Sequence, residues 1–103
     1  MQDITLQDIV KKFLNFTLAS PDDLICDAYY LIHEADDEVD CAYAYLCAQE
    51  AIEANKKCGT EVPTLEHSAE QMLKKFKMSE ADVVKIFLEN EEKLSRIIDN
   101  KKQ

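Results

Sequence analysis

Six side chains that could bind a metal ion or exchange protons lie close together in the chain. They are His33, Glu34, Asp36, Asp37, Glu38 and Asp40. On a helix, residues three or four positions apart share a face, so several of these carboxylates could approach one another. A di-iron carboxylate bundle would also need Glu-x-x-His pairs, and neither His33 nor His67 has a glutamate three residues before it. The pattern therefore favours a solvated acidic surface, with a carboxylate metal site at residues 33–40 as a distant alternative.

The four cysteines offer no recognisable zinc or redox motif. Cys26, Cys41, Cys47 and Cys58 include no Cys-x-x-Cys pair, and the N-terminal residues do not resemble an export signal. We therefore predict reduced thiols in a cytoplasmic protein. The chain also lacks a glycine-rich phosphate loop and a recognisable Ser/His/Asp arrangement, and it contains a single glycine. The sequence predicts no catalytic residue, no metal ligand and no cofactor.

Charge is distributed very unevenly along the 103 residues. The segment 13–55 carries ten Asp and Glu but no Lys or Arg, whereas the remainder has twelve basic and eleven acidic side chains. The net charge of −9 therefore comes from one segment. Such a surface disfavours nucleic acid and anionic membranes, because polyanions are repelled. We predict that Asp36, Asp37, Glu38 and Asp40 form an acidic face for a basic protein partner.

The remaining signals predict how these residues are positioned. One glycine and two prolines favour long helices in a single all-α domain, residues 1–103. Ser20 and Pro21, followed by two aspartates, are typical of a helix start, and Gly59 after two lysines is typical of a helix end. A four-helix bundle-like fold is therefore expected, with helices at about 5–19, 21–57, 64–76 and 80–99 and a frayed tail at 101–103. No run of about 18 apolar residues is present, so we predict no membrane span.

The second helix is predicted to be long and central because its apolar phase does not slip. The stripe recurs in steps of three and four across Asp36 and Asp37. Its members are Leu24, Ala28, Leu31, Ala35, Val39, Ala42 and Leu46. We therefore expect one continuous helix about 54 Å long, bent at most near residue 36.

Residues 41–48 of that helix are apolar or aromatic on every side. A helix with this pattern is normally buried all round. Two outcomes stay open: the other helices wrap it completely, or some of its surface contacts a second copy of the chain. The residues expected at a self-association surface are Tyr43, Ala44, Tyr45 and Ala48, because tyrosine and small residues favour close helix contacts.

Residues 68–88 resemble a helix-turn-helix motif. Apolar residues occupy the offsets that this motif requires: Met72, Phe76, Met78, Val83 and Ile86. The pattern departs at Leu73, where a small residue is usual, and at Lys77, where glycine is usual. The surface that the motif's second helix would offer to a major groove contains no Arg, Asn or Gln to read base edges; it consists of Ser79, Glu80, Ala81, Val84, Lys85 and Leu88. An ordinary helical corner is favoured over DNA binding.

The sequence thus predicts a non-enzymatic, acidic, cytoplasmic interaction module. It would bind a basic protein, form a homo-oligomer, or do both. The alternative is a transcription-associated protein that uses residues 68–88.

Overall fold

The computed structural model describes residues 5–6, 8–11 and 20–90, and every regular element in this part of the chain is an α-helix. We label these helices α1 (Pro21–Glu34), α2 (Glu38–Lys57), α3 (Pro63–Lys75) and α4 (Glu80–Glu89). Residues 6 and 8–11 are helical as well. The prediction of an all-α fold is confirmed. The predicted helical residues 12–19 and 91–99, and the predicted frayed tail at 101–103, lie outside the described residues.

The prediction of one continuous helix over residues 21–57 is wrong. Helix α1 ends at Glu34, and Ala35 has ψ 120°, which is extended rather than helical. Asp37 then caps α2, because its Oδ1 accepts a hydrogen bond from the Asp40 backbone N–H at 2.8 Å. A carboxylate at this position satisfies an otherwise unpaired N–H of the first turn and lies at the positive end of the helix dipole.

The break allows α1 and α2 to pack against each other. In one straight helix, Leu24 and Leu46 would lie about 33 Å apart, which is too far to share a core. In the structure both are buried in the same apolar cluster. The two helices run antiparallel, since the Asn55 side chain near the end of α2 donates to the Pro21 carbonyl at the start of α1 (Nδ2–O 3.2 Å). Apolar burial therefore favours the hairpin over the long helix.

Three of the four predicted helix starts, at residues 5, 21 and 80, are confirmed by capping hydrogen bonds. The Ser20 hydroxyl accepts from the Asp23 N–H at 3.2 Å, with Pro21 in the first position of α1. Ser79 and Asp82 form a reciprocal capping box at the start of α4. Thr5 and Asp8 exchange the same pair of bonds, at 3.1 and 3.2 Å. Local sequence chemistry is thus sufficient to place these starts.

Helix α2 is the centre of the fold. It contacts α1, α3 and α4, and its residues from Cys41 to Ala48 are buried, apart from the half-buried Tyr43. Six of these eight are 2% exposed or less: Cys41, Ala42, Ala44, Leu46, Cys47 and Ala48. On α3, Leu65, Ala69 and Met72 are buried as well. The apolar run in α2 is therefore enclosed by its own chain.

Helices α2 and α3 end in the same way, with one residue in the left-handed conformation. After α2, Gly59 has φ 79°, and its N–H and that of Thr60 donate to the carbonyls of Lys56 and Asn55. After α3, Lys77 has φ 55°, and its N–H and that of Met78 donate to Lys74 and Leu73. Both ends are Schellman motifs, in which glycine is the favoured left-handed residue.

These two ends predict stability changes of opposite sign. We expect Gly59→Ala to lower the free energy of unfolding by about 1–2 kcal/mol, because a Cβ disfavours positive φ. A Cβ at Gly59 would meet no atom within 4 Å, so the loss arises from the backbone alone. We expect Lys77→Gly to raise stability by up to about 1 kcal/mol, since relief of the left-handed strain is partly offset by a more flexible unfolded chain. Urea denaturation of both variants tests the pair, and a loss of stability in Lys77→Gly would contradict this account.

Candidate functional site

The strongest candidate site is a surface formed by the carboxylates between residues 22 and 40. All eight are exposed: Asp22, Asp23, Asp27, Glu34, Asp36, Asp37, Glu38 and Asp40. We call these eight side chains the acidic surface. None of them forms an ion pair with a basic side chain in the described part of the chain, where Lys56 and Glu53 do pair (Nζ–Oε1 4.0 Å). Their carboxylates are therefore exposed to solvent and form no ion pair among the described residues, although Glu38 lines a groove that also contains Lys77 and Lys85.

The predicted acidic face, Asp36, Asp37, Glu38 and Asp40, lies at the junction of α1 and α2. All four side chains are exposed, but they do not have equal roles. Asp37 is held by its capping bond to the Asp40 backbone, and Glu38 and Asp40 lie in the first turn of α2. Carboxylates in the first turn are stabilised by the helix dipole. This part of the surface therefore contributes to helix α2 as well as to any partner contact.

Helix α1 adds two exposed tyrosines that sequence reasoning did not assign to a site. Tyr30 is 65% exposed and Tyr29 is 36% exposed. Asp23, Asp27, Tyr30 and Glu34 follow one another at steps of four, three and four, so they share one face of α1. That face lies about 110° around the helix from the buried Leu24 and Ala28. The same periodicity that predicted the inner face could have identified this outer one.

The residues predicted for self-association lie mostly inside the molecule. Ala44 and Ala48 are fully buried, Tyr45 is 3% exposed, and Tyr43 is half-buried. They pack against other parts of their own chain, which is the intramolecular alternative that the sequence left open. The folded monomer therefore does not present Ala44, Tyr45 and Ala48 as a surface for a second copy.

The two tyrosines of α2 bring polar groups into this core. The Tyr45 hydroxyl forms hydrogen bonds with the side chains of Glu80 and Gln49, which links α2 to the start of α4. Tyr43 forms a hydrogen bond with the Cys47 thiol, one turn further along α2. Burial raises the pKa of both phenols above the usual value of 10.0, and the nearby charges of Glu80 and Glu50 raise it further for Tyr45 and Tyr43 respectively. Both phenols therefore stay protonated at neutral pH.

All four cysteine side chains are reduced thiols, and they differ in exposure. Cys26 and Cys58 are exposed, whereas Cys41 and Cys47 are buried in α2. Burial, together with the negative charge of Glu38, raises the pKa of the Cys41 thiol from 9.0 to about 11. A thiol with a raised pKa is a poor nucleophile at neutral pH. Cys41 and Cys47 thus act as small core residues.

The raised pKa of Cys41 predicts a loss of stability in alkali. Between about pH 9 and pH 11 the unfolded chain would lose this proton while the folded chain keeps it, so the free energy of unfolding should fall as pH rises. The expected loss is on the order of 2 kcal/mol across this range. Urea denaturation at intervals from pH 8 to pH 11 measures the slope. Cys41→Ala should show a shallower slope, and an unchanged slope in that variant would contradict the assignment to Cys41.

The histidines and carboxylates do not form a chelating cluster in the described part of the chain. No group of three or more His, Cys, Asp or Glu side chains there is arranged to hold a metal ion. His33 is exposed on α1, and the carboxylates of residues 36–40 are exposed at the junction. The geometry at residues 33–40 is that of a surface open to solvent.

The corner at residues 68–88 consists of the end of α3, the turn at Lys77 and helix α4. Its apolar residues pack inward, with Val83 fully buried and Met72 4% exposed. At the start of α4, Asp82 is part of the capping box and Glu80 bonds to Tyr45. A recognition helix would offer this first turn to DNA, where carboxylates beside phosphates are unfavourable. The contacts found here are those of a packed helical corner.

No protein-family model, no curated protein and no solved structure matches this chain. Among the described helices, none combines the length and apolar character needed to cross a lipid bilayer. The residues and their geometry are therefore the basis for any functional assignment.

Proposed function

We propose that this protein is a non-enzymatic interaction module that binds a basic protein through the outer face of α1 and the α1–α2 junction. The observation that carries the proposal is the stripe Asp23, Asp27, Tyr30 and Glu34, in which an aromatic side chain lies exposed among carboxylates that form no ion pair with a basic side chain in the described part of the chain. The predicted acidic face, Asp36 to Asp40, extends this stripe at the end of α1.

The chemistry of the stripe fits a protein partner with exposed Lys and Arg. Carboxylates of one sign accelerate the encounter with a basic surface and align it, while contributing less to the final affinity. Tyrosine contributes both apolar area and a hydroxyl, and it is enriched among residues that dominate binding energy. An arginine can also stack on the Tyr30 ring. Tyr30 would therefore be the anchor, and the carboxylates would provide steering and orientation.

A basic partner is favoured over a second copy of this chain. Two copies that met through this face would bring like charges together, which is unfavourable. Ala44, Tyr45 and Ala48, which the sequence suggested for self-association, are buried. In this proposal the protein acts in a reducing cytoplasm, to which its four reduced thiols are suited.

The test is to capture binding proteins from the native cell, purify the main one, and measure its affinity for matched variants. We expect the double variant Asp27→Asn/Glu34→Gln to weaken binding about tenfold or more, mainly by slowing association. Tyr30→Ala should weaken binding by a similar factor, mainly by accelerating dissociation. The affinity of the wild type should fall as the salt concentration rises.

The control removes the same number of charges from another part of the surface. Glu61 and Glu66 are exposed and lie near the start of α3. Glu61→Gln/Glu66→Gln should retain the affinity within about twofold. Equal weakening by the two double variants would mean that the affinity depends only on the overall charge. It would contradict the proposal that the partner binds the outer face of α1. An unchanged affinity in Tyr30→Ala would show that Tyr30 does not anchor the partner.

A further inference from the structure

A groove between α1 and α3 differs from the rest of this acidic molecule. Its volume is about 360 Å³, and its polar lining consists of His33, His67, Ser68, Gln71 and Lys75. None of the described residues that line it carries a carboxylate. Two other grooves combine carboxylates with lysines: one has Glu38, Asp82 and Glu89 with Lys77 and Lys85, and another has Glu61 and Glu66 with Lys56. In a chain of net charge −9, this groove offers a local set of hydrogen-bond donors and a positive charge.

The glutamates of α3 point away from this groove. Glu66 lines the separate groove beside Ile52 and Lys56. The charge of Glu70 acts on Tyr45, on the side of α2. His67, Gln71 and Lys75 are spaced four residues apart and therefore form one donor-bearing face of α3. The separation of charge around α3 is thus a property of its sequence as well as of the fold.

The ammonium group of Lys75 lies close to the apolar wall of the groove. Met72 is buried and Phe76 is half-buried, and both line the groove with Ile32. The Lys75 Nζ lies 5.6 Å from the centre of the Phe76 ring, within the range of a cation–π contact. Lys75 forms no ion pair with a carboxylate in the described part of the chain. Its ammonium group is therefore placed beside an apolar wall with its donors available.

We propose that this groove binds a small organic anion, with a phosphate or carboxylate group on a compact apolar body. Lys75, His67, Ser68 and Gln71 would donate to the anionic group, and the body would contact Met72 and Phe76. A volume of about 360 Å³ is within the usual range for small-molecule sites. The groove lies on the α3 side of α1, so this site is independent of the proposed protein partner.

Phenyl phosphate is a suitable probe because it combines a phosphate with one aromatic ring. Titration of the whole protein, followed by amide chemical shifts, should show saturable changes at Ser68 and Gln71 with a Kd of about 1 mM or tighter. Benzylamine, which has a similar body but the opposite charge, should not bind. Inorganic phosphate should bind at least about tenfold more weakly, since it lacks the apolar contact. Binding of benzylamine, or equal binding of inorganic phosphate, would overturn the proposal.

Two lysine variants separate a specific contact from overall charge. Lys75→Gln should weaken phenyl phosphate binding about tenfold, because it removes a charge-assisted hydrogen bond. Lys57→Gln, in the last turn of α2, makes the same charge change and does not alter the lining of this groove. It should change the affinity less than about twofold. Equal weakening by both variants, or no shift changes at about 10 mM phenyl phosphate, would also overturn the proposal.

Discussion

Replacing Tyr45 with alanine should lower the free energy of unfolding by about 3–5 kcal/mol. The ring is 3% exposed and lies on α2 within the main apolar cluster. Its removal would leave a cavity among groups that are already packed, and those groups can relax only in part. Since small domains are stable by about 5–15 kcal/mol in total, the loss would be a large fraction of the stability. Urea denaturation monitored by circular dichroism measures it.

Tyr45→Phe is the control for the hydroxyl group. It keeps the ring and removes the hydrogen bonds with Glu80 and Gln49. Because Glu80 is exposed, water can replace the lost bond, so we expect a loss of about 0.5–1.5 kcal/mol. The difference between the two variants is then the contribution of the buried ring. A loss for Tyr45→Ala no larger than that for Tyr45→Phe would contradict the position of the ring in the core.

Leu46→Ala should lower the free energy of unfolding by about 2–5 kcal/mol. Leu46 is fully buried and is among the largest of the fully buried side chains in the described part of the chain. It lies in α2, which contacts the three other labelled helices, so few neighbours are free to move into the space. Thermal unfolding and urea denaturation should agree on the loss.

Two further variants test whether the loss arises from the volume and the burial of the Leu46 side chain. Leu46→Met keeps most of the volume and should lower the stability by less than about 1.5 kcal/mol. Leu88→Ala makes the same chemical change at a leucine that is 43% exposed on α4, and it should have an effect of about 0.5 kcal/mol or less. Similar losses for Leu46→Ala and Leu88→Ala would contradict the central position of α2.

Sequence patterns predicted the helix starts and inner faces well because both depend on local chemistry. Ser20 and Pro21 act within a few residues of their own positions, and the structure shows the expected cap; Ser79 and Asp82 cap α4 in the same local way. The buried residues Leu24, Ala28, Ala42 and Leu46 were all members of the predicted stripe. These features do not depend on how distant helices are arranged.

The break between α1 and α2 was not predicted because it does not disturb the apolar phase. The stripe passes from Ala35 to Val39 with a normal helical step, although the residues between them are not continuously helical. The residue that marks the break is Asp37. Aspartate is a good N-cap residue, but it is also common on exposed helix faces. The choice between these roles depends on the free energy of packing α1 on α2, which no local pattern reports.

The candidate site was predicted only in part, because local patterns do not report how the helices pack. The exposure of Asp36, Asp37, Glu38 and Asp40 follows from their charge and needs no tertiary information. The positions of Tyr30 and Tyr45 do need it, since a tyrosine is suited both to a core and to a surface. The groove at His67 and Lys75 could not be predicted either, because it exists only where α1 and α3 meet.

The division of α1 into a buried side and an exposed side determines which of its positions can be substituted without loss of stability. Interior packing depends on the side of α1 that carries Leu24 and Ala28, whereas Asp23, Asp27 and Tyr30 are exposed on a different side. Substitutions at those outer positions should leave the scaffold almost unaffected. The same division makes α1 a practical place to engineer a new binding surface.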